Sequence, residues 1–307
     1  MDIEMPRMDG LTALREIMLR MPTPVMMVSS ITTDGAQATL DALELGAVDF
    51  IPKQSSFVSL DIVKIRDDLL AKIKDIARRK HTLMARYRLR AKPASTPTRR
   101  PDRSQTPATP AQVLGKRNHP VNIVAIGSST GGPPALQAVI PALPRNFPVG
   151  VVIAQHMPPT FTASLAARLD SLSQVSVREA VHLEPLEPGT VLISPGGKHL
   201  TVKKVGGKAV AHVSDHPIET LYHPCVDVLM ESVARSFEQA AMGVILTGMG
   251  SNGLAGIRLL KEKNGVTIAQ NEESCVVYGM PRAIIEARLA DHVAPIEQIA
   301  NEILSFF

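Results

Sequence analysis

Three short stretches hold residues whose types and spacing suit acyl-transfer chemistry. The first is Gly127-Ser128-Ser129-Thr130-Gly131-Gly132, which fits G-x-S-x-G between an apolar run and a helical one. Glycines there permit a tight turn that lifts a serine hydroxyl to a sheet edge, the setting of a nucleophile elbow. The same turn could cradle a phosphate at a helix N-terminus, but it fits neither G-x-G-x-x-G nor a P-loop. The second is His156, directly after the apolar run Gly150-Val151-Val152-Ile153-Ala154-Gln155. A lone histidine is more often packed or solvent-facing; beside Ser129 it supplies a general base at a neighbouring strand end. The third is Thr247-Gly248-Met249-Gly250-Ser251-Asn252-Gly253, where a group that orients the histidine should sit. Backbone amides alone, as an oxyanion hole or anion site, are the other reading of that loop. The order Ser, His, third residue differs from the Ser, Asp, His order of α/β-hydrolases.

Such residues need strands that end side by side. Residues 121–126, 150–155 and 242–247 read as buried strands, followed by helices at 134–140, 160–172 and 254–263 and a further strand at 266–269. Residues 175–213 hold several short β-like runs broken by Gly and Pro. The N-terminal part alternates too, with helices at 11–20 and 37–45 (closed by Gly46), strands at 25–28 and 48–51, and a long helix at 60–88. Between them, residues 91–120 are rich in Pro, Thr, Ser and Arg and read as an extended linker. The expected division is therefore 1–90, 91–120 and 121–307. Alternating elements predict an α/β fold with a doubly wound, mostly parallel sheet, whose site lies outside the carboxyl ends of its strands.

Composition narrows the class. The 307 residues are 45% hydrophobic and 20% charged, a globular rather than disordered balance. No apolar run approaches the roughly 18–20 residues of a membrane span, and the start lacks signal-peptide regions. A cytoplasmic protein without membrane insertion is expected. Cys225 and Cys275 are too few for a disulfide framework or a cysteine cage. His212, His216 and His223 lie amid Pro217 and Pro224, without carboxylates at metal-motif spacing, so no metal is expected. The net charge of +4 hides a basic segment, 72–117, with fourteen Lys and Arg against Asp75 and Asp102. Its one aromatic ring is Tyr87 and it carries no groove-reading motif, so a solvated linker is expected rather than a nucleic-acid partner.

Together these stretches resemble the CheB family of chemotaxis receptor methylesterases and glutamine deamidases. The matching runs include Gly127 to Gly132, Gln155-His156-Met157-Pro158-Pro159, Ser194-Pro195-Gly196-Gly197-Lys198-His199 and Val226-Asp227-Val228-Leu229. Gly243 to Gly250, Ala269-Gln270-Asn271-Glu272 and Ser274 to Pro281 complete the set. The resemblance implies hydrolysis of glutamate γ-methyl esters, and deamidation of glutamines, on methyl-accepting chemotaxis receptors. Ser129 would be the nucleophile and His156 the base, with Thr130 beside them and the Met249 backbone as oxyanion donor. No cofactor is implied. One departure falls on the triad, because Asn252 occupies the slot of its aspartate. A weak or inactive esterase is expected, with Asp227 or Glu272 as carboxylates that could substitute. The alternative is a catalytically dead paralogue that docks on receptors or signalling partners.

The N-terminal part resembles the later half of a flavodoxin-like response-regulator receiver. Asp2 matches the phospho-acceptor, Ser29 the switch hydroxyl and Lys53 the phosphate-sensing lysine. In intact relatives a chemotaxis histidine kinase is the phosphodonor. The acidic pair that binds Mg²⁺ in receivers precedes that aspartate, so residues 1–90 are expected to be a partial receiver. They are expected neither to work as a switch nor to fold stably alone, leaving the catalytic site open.

Overall fold

The computed structural model describes residues 1–30, 32–53, 61–80, 83–85, 87 and 120–307. Residues 91–119 of the linker read at 91–120, and residues 60, 81, 82, 86 and 88 of the helix read at 60–88, lie outside them.

Strands β3 (Ile123–Ser128), β4 (Gly150–Gln155) and β9 (Ala241–Ile245) are buried at every position. Such unbroken runs belong to parallel strands covered on both faces. They join β5 (Ser176–Glu179), β6 (Thr190–Ile193), β10 (Val266–Gln270) and β11 (His292–Ala294) in a parallel sheet of order β11-β10-β9-β3-β4-β6-β5. The chain builds outward from β3 through β4, then returns to the other side of β3 as β9. The direction of winding therefore reverses at β3, which puts the switch-point crevice at the carboxyl ends of β9, β3 and β4. The short runs of 175–213 divide between this sheet and an antiparallel hairpin, β7 (His199–Val205) with β8 (Lys208–Ser214).

Alternation along β3 sorts its side chains between two apolar layers. Val124 and Ile126 meet Leu136 of α4 (Gly132–Val139), Leu165 of α5 (Phe161–Leu172) and Ile299 of α9 (Ile296–Leu304). Ile123 and Ala125 face Leu229 of α6 (Val226–Phe237), Ile257 of α7 (Leu254–Glu262) and Ile284 of α8 (Met280–Glu286). Helix α4 starts two residues earlier than the sequence suggested, because Pro133 and Pro134 fit its first turn, where backbone N–H groups need no partner.

The N-terminal segment comprises α1 (Gly10–Arg20), β1 (Met26–Ser30), α2 (Thr33–Glu44), β2 (Asp49–Lys53) and α3 (Asp61–Arg78). Its strands pair in parallel, and Asp2 bridges to Val28. Two strands alone enclose little apolar surface. This core instead runs on into that around α4 and α5: Phe50 stacks on Phe161 with ring centroids 4.7 Å apart. Arg168 grips the Glu44 carboxylate beside that stack, its Nε 2.7 Å from Oε1 and its Nη2 on Oε2. Phe161 is fully buried, so Phe161→Ala is expected to destabilise the chain by about 3–5 kcal/mol. Urea unfolding followed by circular dichroism measures this, and an unchanged midpoint would refute it. Among the described residues no helix is long and apolar enough to cross a membrane.

Candidate active site

At the end of β3 the chain turns through Ser129 and Thr130 into α4. Gly131 takes a left-handed φ of 75°, and a Cβ there would lie 2.5 Å from Val276. A Cβ on Gly132 would fall 1.9 Å from Gln155 Oε1. Gln155 needs that space, since its buried amide ties the two strand ends together. Its Oε1 accepts from Ser128 Oγ (2.6 Å), and its Nε2 donates to the carbonyls of Ser129 (3.0 Å) and His156 (3.1 Å). The His156 backbone N–H donates to Ser128 O, and that of Ser129 to Thr247 O. Thr247 closes the third side: its Oγ1 donates to Thr130 O (2.9 Å), and its N–H to Gln270 Oε1 (2.7 Å). The serine and histidine positions are thus set by sheet register and buried polar braces.

The His156 imidazole lies flat against Tyr222, centroids 4.2 Å apart and planes 11° apart. Its Nε2 is 2.9 Å from Asn252 Oδ1. Its Nδ1 is buried and has no hydrogen-bond partner among the described residues, and the same holds for Thr130 Oγ1. Ser129, Thr130, His156, Tyr222 and Met249 line one cavity of about 450 Å³. The backbone N–H of Met249 has no acceptor among the described residues. No hydrogen bond joins Ser129 to His156, a bond that commonly tightens only with substrate.

Burial holds the His156 imidazole well below its ordinary 6.5, at about 4. The hydrogen bond to Asn252 and the charge of Asp227 pull it upward, while the Lys72 ammonium pushes it down. The ring is therefore neutral, and able to accept a proton, through the neutral range. The acid limb of kcat/KM is expected near pH 4, and an inflection near 6.5 would contradict the shielded ring. The same shift acts on stability. Unfolded chains bind this proton below about 6.5, so its contribution is present above that value and lost as pH falls toward 4.

Asn252 meets His156 as the spacing suggested, and Thr130 and Met249 share the cavity. Of the two substitute carboxylates, only Asp227 is in place: its Oδ2 accepts from Asn252 Nδ2 at 2.7 Å. Glu272 is turned away and pairs with Arg79. Asp2 and Lys53 pair at 2.7 Å, which lowers the Asp2 carboxyl below its usual range. Ser29 is buried and donates to Gly35 O instead. Among the described residues no three His, Cys, Asp or Glu side chains gather to hold a metal.

Three residues went unread in the sequence. Gln155 had a visible signal, an amide at the end of an apolar run. Tyr222 and Lys72 had none. Lys72, on α3 and ion-paired to Asp49 at 3.0 Å, lines the catalytic cavity. The site expected to stand open thus has one residue of the N-terminal segment in its wall.

Residues 124–303 match the CheB methylesterase family model, and residues 1–62 that of the response regulator receiver domain. The chain is 52% identical to protein-glutamate methylesterase/protein-glutamine glutaminase 1 of Oleidesulfovibrio alaskensis, across 99% of this chain and 85% of that protein. It is 40% identical to the protein-glutamate methylesterase/protein-glutamine glutaminase of Pyrococcus abyssi, across 99% of this chain and 79% of that one. The crystal structure of the Thermotoga maritima CheB methylesterase catalytic domain superposes with a TM-score of 0.60 at 43% identity, covering 61% of this chain and 99% of that domain. A family match over more than half of the residues, and relatives alike along nearly the whole chain, agree with the strand-end serine and histidine: the chain belongs to the CheB methylesterase family.

Proposed function

We propose that the chain hydrolyses glutamate γ-methyl esters on methyl-accepting chemotaxis receptors, and deamidates receptor glutamines, with Ser129 as nucleophile. Residues 121–307 carry the catalysis, 91–120 link, and 1–90 form a receiver-derived cover. The observation that carries the reading is the shared cavity, in which Ser129 stands with a histidine whose one unengaged nitrogen is buried and unpartnered. Nε2 is occupied by Asn252, so Nδ1 is the nitrogen that takes the Ser129 proton as Oγ attacks the ester carbonyl. The backbone N–H of Met249 steadies the oxyanion. As the tetrahedral intermediate collapses, the imidazolium gives its proton to the departing methoxide or, in deamidation, to the departing amide nitrogen, releasing methanol or ammonia, and water then cleaves the glutamyl-enzyme with His156 again as base. No cofactor enters these steps.

Methanol release from methyl-labelled receptor membranes tests the proposal. The full chain is expected to release methanol and Ser129→Ala to release none. Equal release by both would sink it. Asn252 favours the rival reading, a docking protein without turnover, and no release by either protein would support that reading.

A further inference from the structure

We infer that Asp227 is a positioning residue that holds the Asn252 amide in the one orientation leaving His156 Nδ1 free as the base. The inference rests on the proposed role of His156. An asparagine amide presents an acceptor at one end and donors at the other. With Oδ1 toward His156, Nε2 carries the ring proton and Nδ1 keeps its lone pair. Reversed, Nδ2 would face Nε2, drive the proton onto Nδ1 and block the base.

Fixed partners choose between these states. The Val226 N–H, which can only donate, lies 2.7 Å from Asn252 Oδ1. Asp227 Oδ2, which as a carboxylate oxygen accepts, lies 2.7 Å from Nδ2, and Cys225 Sγ takes a second contact at 3.1 Å. Asp227 is itself held, because its Oδ1 accepts from the Gly256 N–H at 2.9 Å. Gly256 lies in the first turn of α7, whose N-cap Gly253 has no side chain to offer. Asp227 is in the first turn of α6, so its carboxylate faces the N-terminal ends of two helices, where negative charge is favoured.

Replacing this carboxylate with an amide leaves no satisfied arrangement. In Asp227→Asn, the new side chain can face Gly256 N–H or Asn252 Nδ2 with its oxygen, but not both. Reversing Asn252 moves the donor–donor clash to the Val226 N–H and drives the His156 proton onto Nδ1. The swapped pair, Asp227→Asn with Asn252→Asp, has no such conflict. Residue 252 then accepts from His156, Val226 and residue 227, while residue 227 still accepts from Gly256.

The test compares full-length wild type, Asp227→Asn and the swapped pair by kcat and KM for methanol release. It adds ¹⁵N spectra of the imidazoles, with His156 assigned by its loss in His156→Gln. Asp227→Asn is expected to lower kcat roughly ten- to hundredfold at unchanged KM, and the swapped pair to regain at least wild-type kcat. Wild-type kcat in Asp227→Asn, or a swapped pair no faster than that variant, would overturn the inference. If Asp227 served only to cap α7, Asp227→Asn would keep wild-type kcat, since an amide oxygen accepts from the Gly256 N–H equally well. Should the single variant not fold, Asp227→Ser, whose hydroxyl can still accept from the Gly256 N–H, takes its place. If Ser129→Ala turns over as fast as wild type, or neither turns over, the esterase reading fails by itself and the spectra judge Asp227. An Nε2-protonated His156 in wild type that becomes mixed or Nδ1-protonated in Asp227→Asn supports its role. The same tautomer in both refutes it.

Discussion

Asn252→Asp is expected to raise kcat for methanol release by roughly 10². As Ser129 attacks, His156 becomes an imidazolium, and an amide oxygen offers it a dipole where a carboxylate offers a full charge. In a serine protease triad the opposite change, Asp to Asn, costs about 10⁴ in kcat, or about 5 kcal/mol of barrier. The gain here is smaller because Asp227 already stands one hydrogen bond behind Asn252 and raises the proton affinity of His156. Two carboxylates at that spacing share one proton. The Val226 N–H and His156 Nε2 then face the new carboxylate and favour charge on residue 252. The acid limb should also move upward from about pH 4, because an anion against Nε2 favours the protonated ring. Unchanged turnover would mean that Asn252 does not limit the reaction.

In that faster background, Ser129→Ala and His156→Ala are each expected to cut kcat by roughly 10⁴, and the double variant to cut it no further. Serine is a poor nucleophile until its proton has somewhere to go, and the buried Nδ1 has no purpose in the step without that proton. The two residues act as one device, so losing either removes the whole. What remains is the contribution of binding and of the Met249 N–H. Losses that add on a logarithmic scale would show that the residues act separately, as would a His156→Ala variant that keeps most of its rate.

The strands of the site were legible because β3, β4 and β9 are buried along their length, apolar except for Ser128 and Gln155 at their ends, and give way to Ser129, His156 and the Thr247-Gly248 turn. Their adjacency follows from parallel winding, which brings consecutive carboxyl ends to one edge. Helix α6 was equally visible and went unread: Val226, Leu229, Met230, Val233 and Ala234 repeat at helical spacing. Ile296, Ile299, Ala300 and Ile303 do the same for α9. The remainder was hidden for a physical reason. Tyr222 stacks on His156 from a loop and Lys72 comes to the cavity wall from a helix of the N-terminal segment, and no local pattern encodes either placement. Sequence singled out Asp227 and Glu272 alike as stand-in carboxylates, and only packing separates them. The start of α6 brings Asp227 to Asn252, while Arg79 holds Glu272 elsewhere.

The ring of His156 also bears on how accurately the reaction can be aimed. A histidine that works through its outermost nitrogen is a cantilever: it is fixed at the chain, and every swing about Cα is largest at the tip that does the chemistry. Here the outer nitrogen is the one pinned by Asn252, and Tyr222 supports the flat of the ring. The working atom, Nδ1, is bonded directly to Cγ and lies between the two anchorages, so it behaves as the middle of a beam held at both ends. A displacement of 1 Å can cost about a hundredfold in rate. In the proposed reaction this mounting would keep the base on target without a triad aspartate.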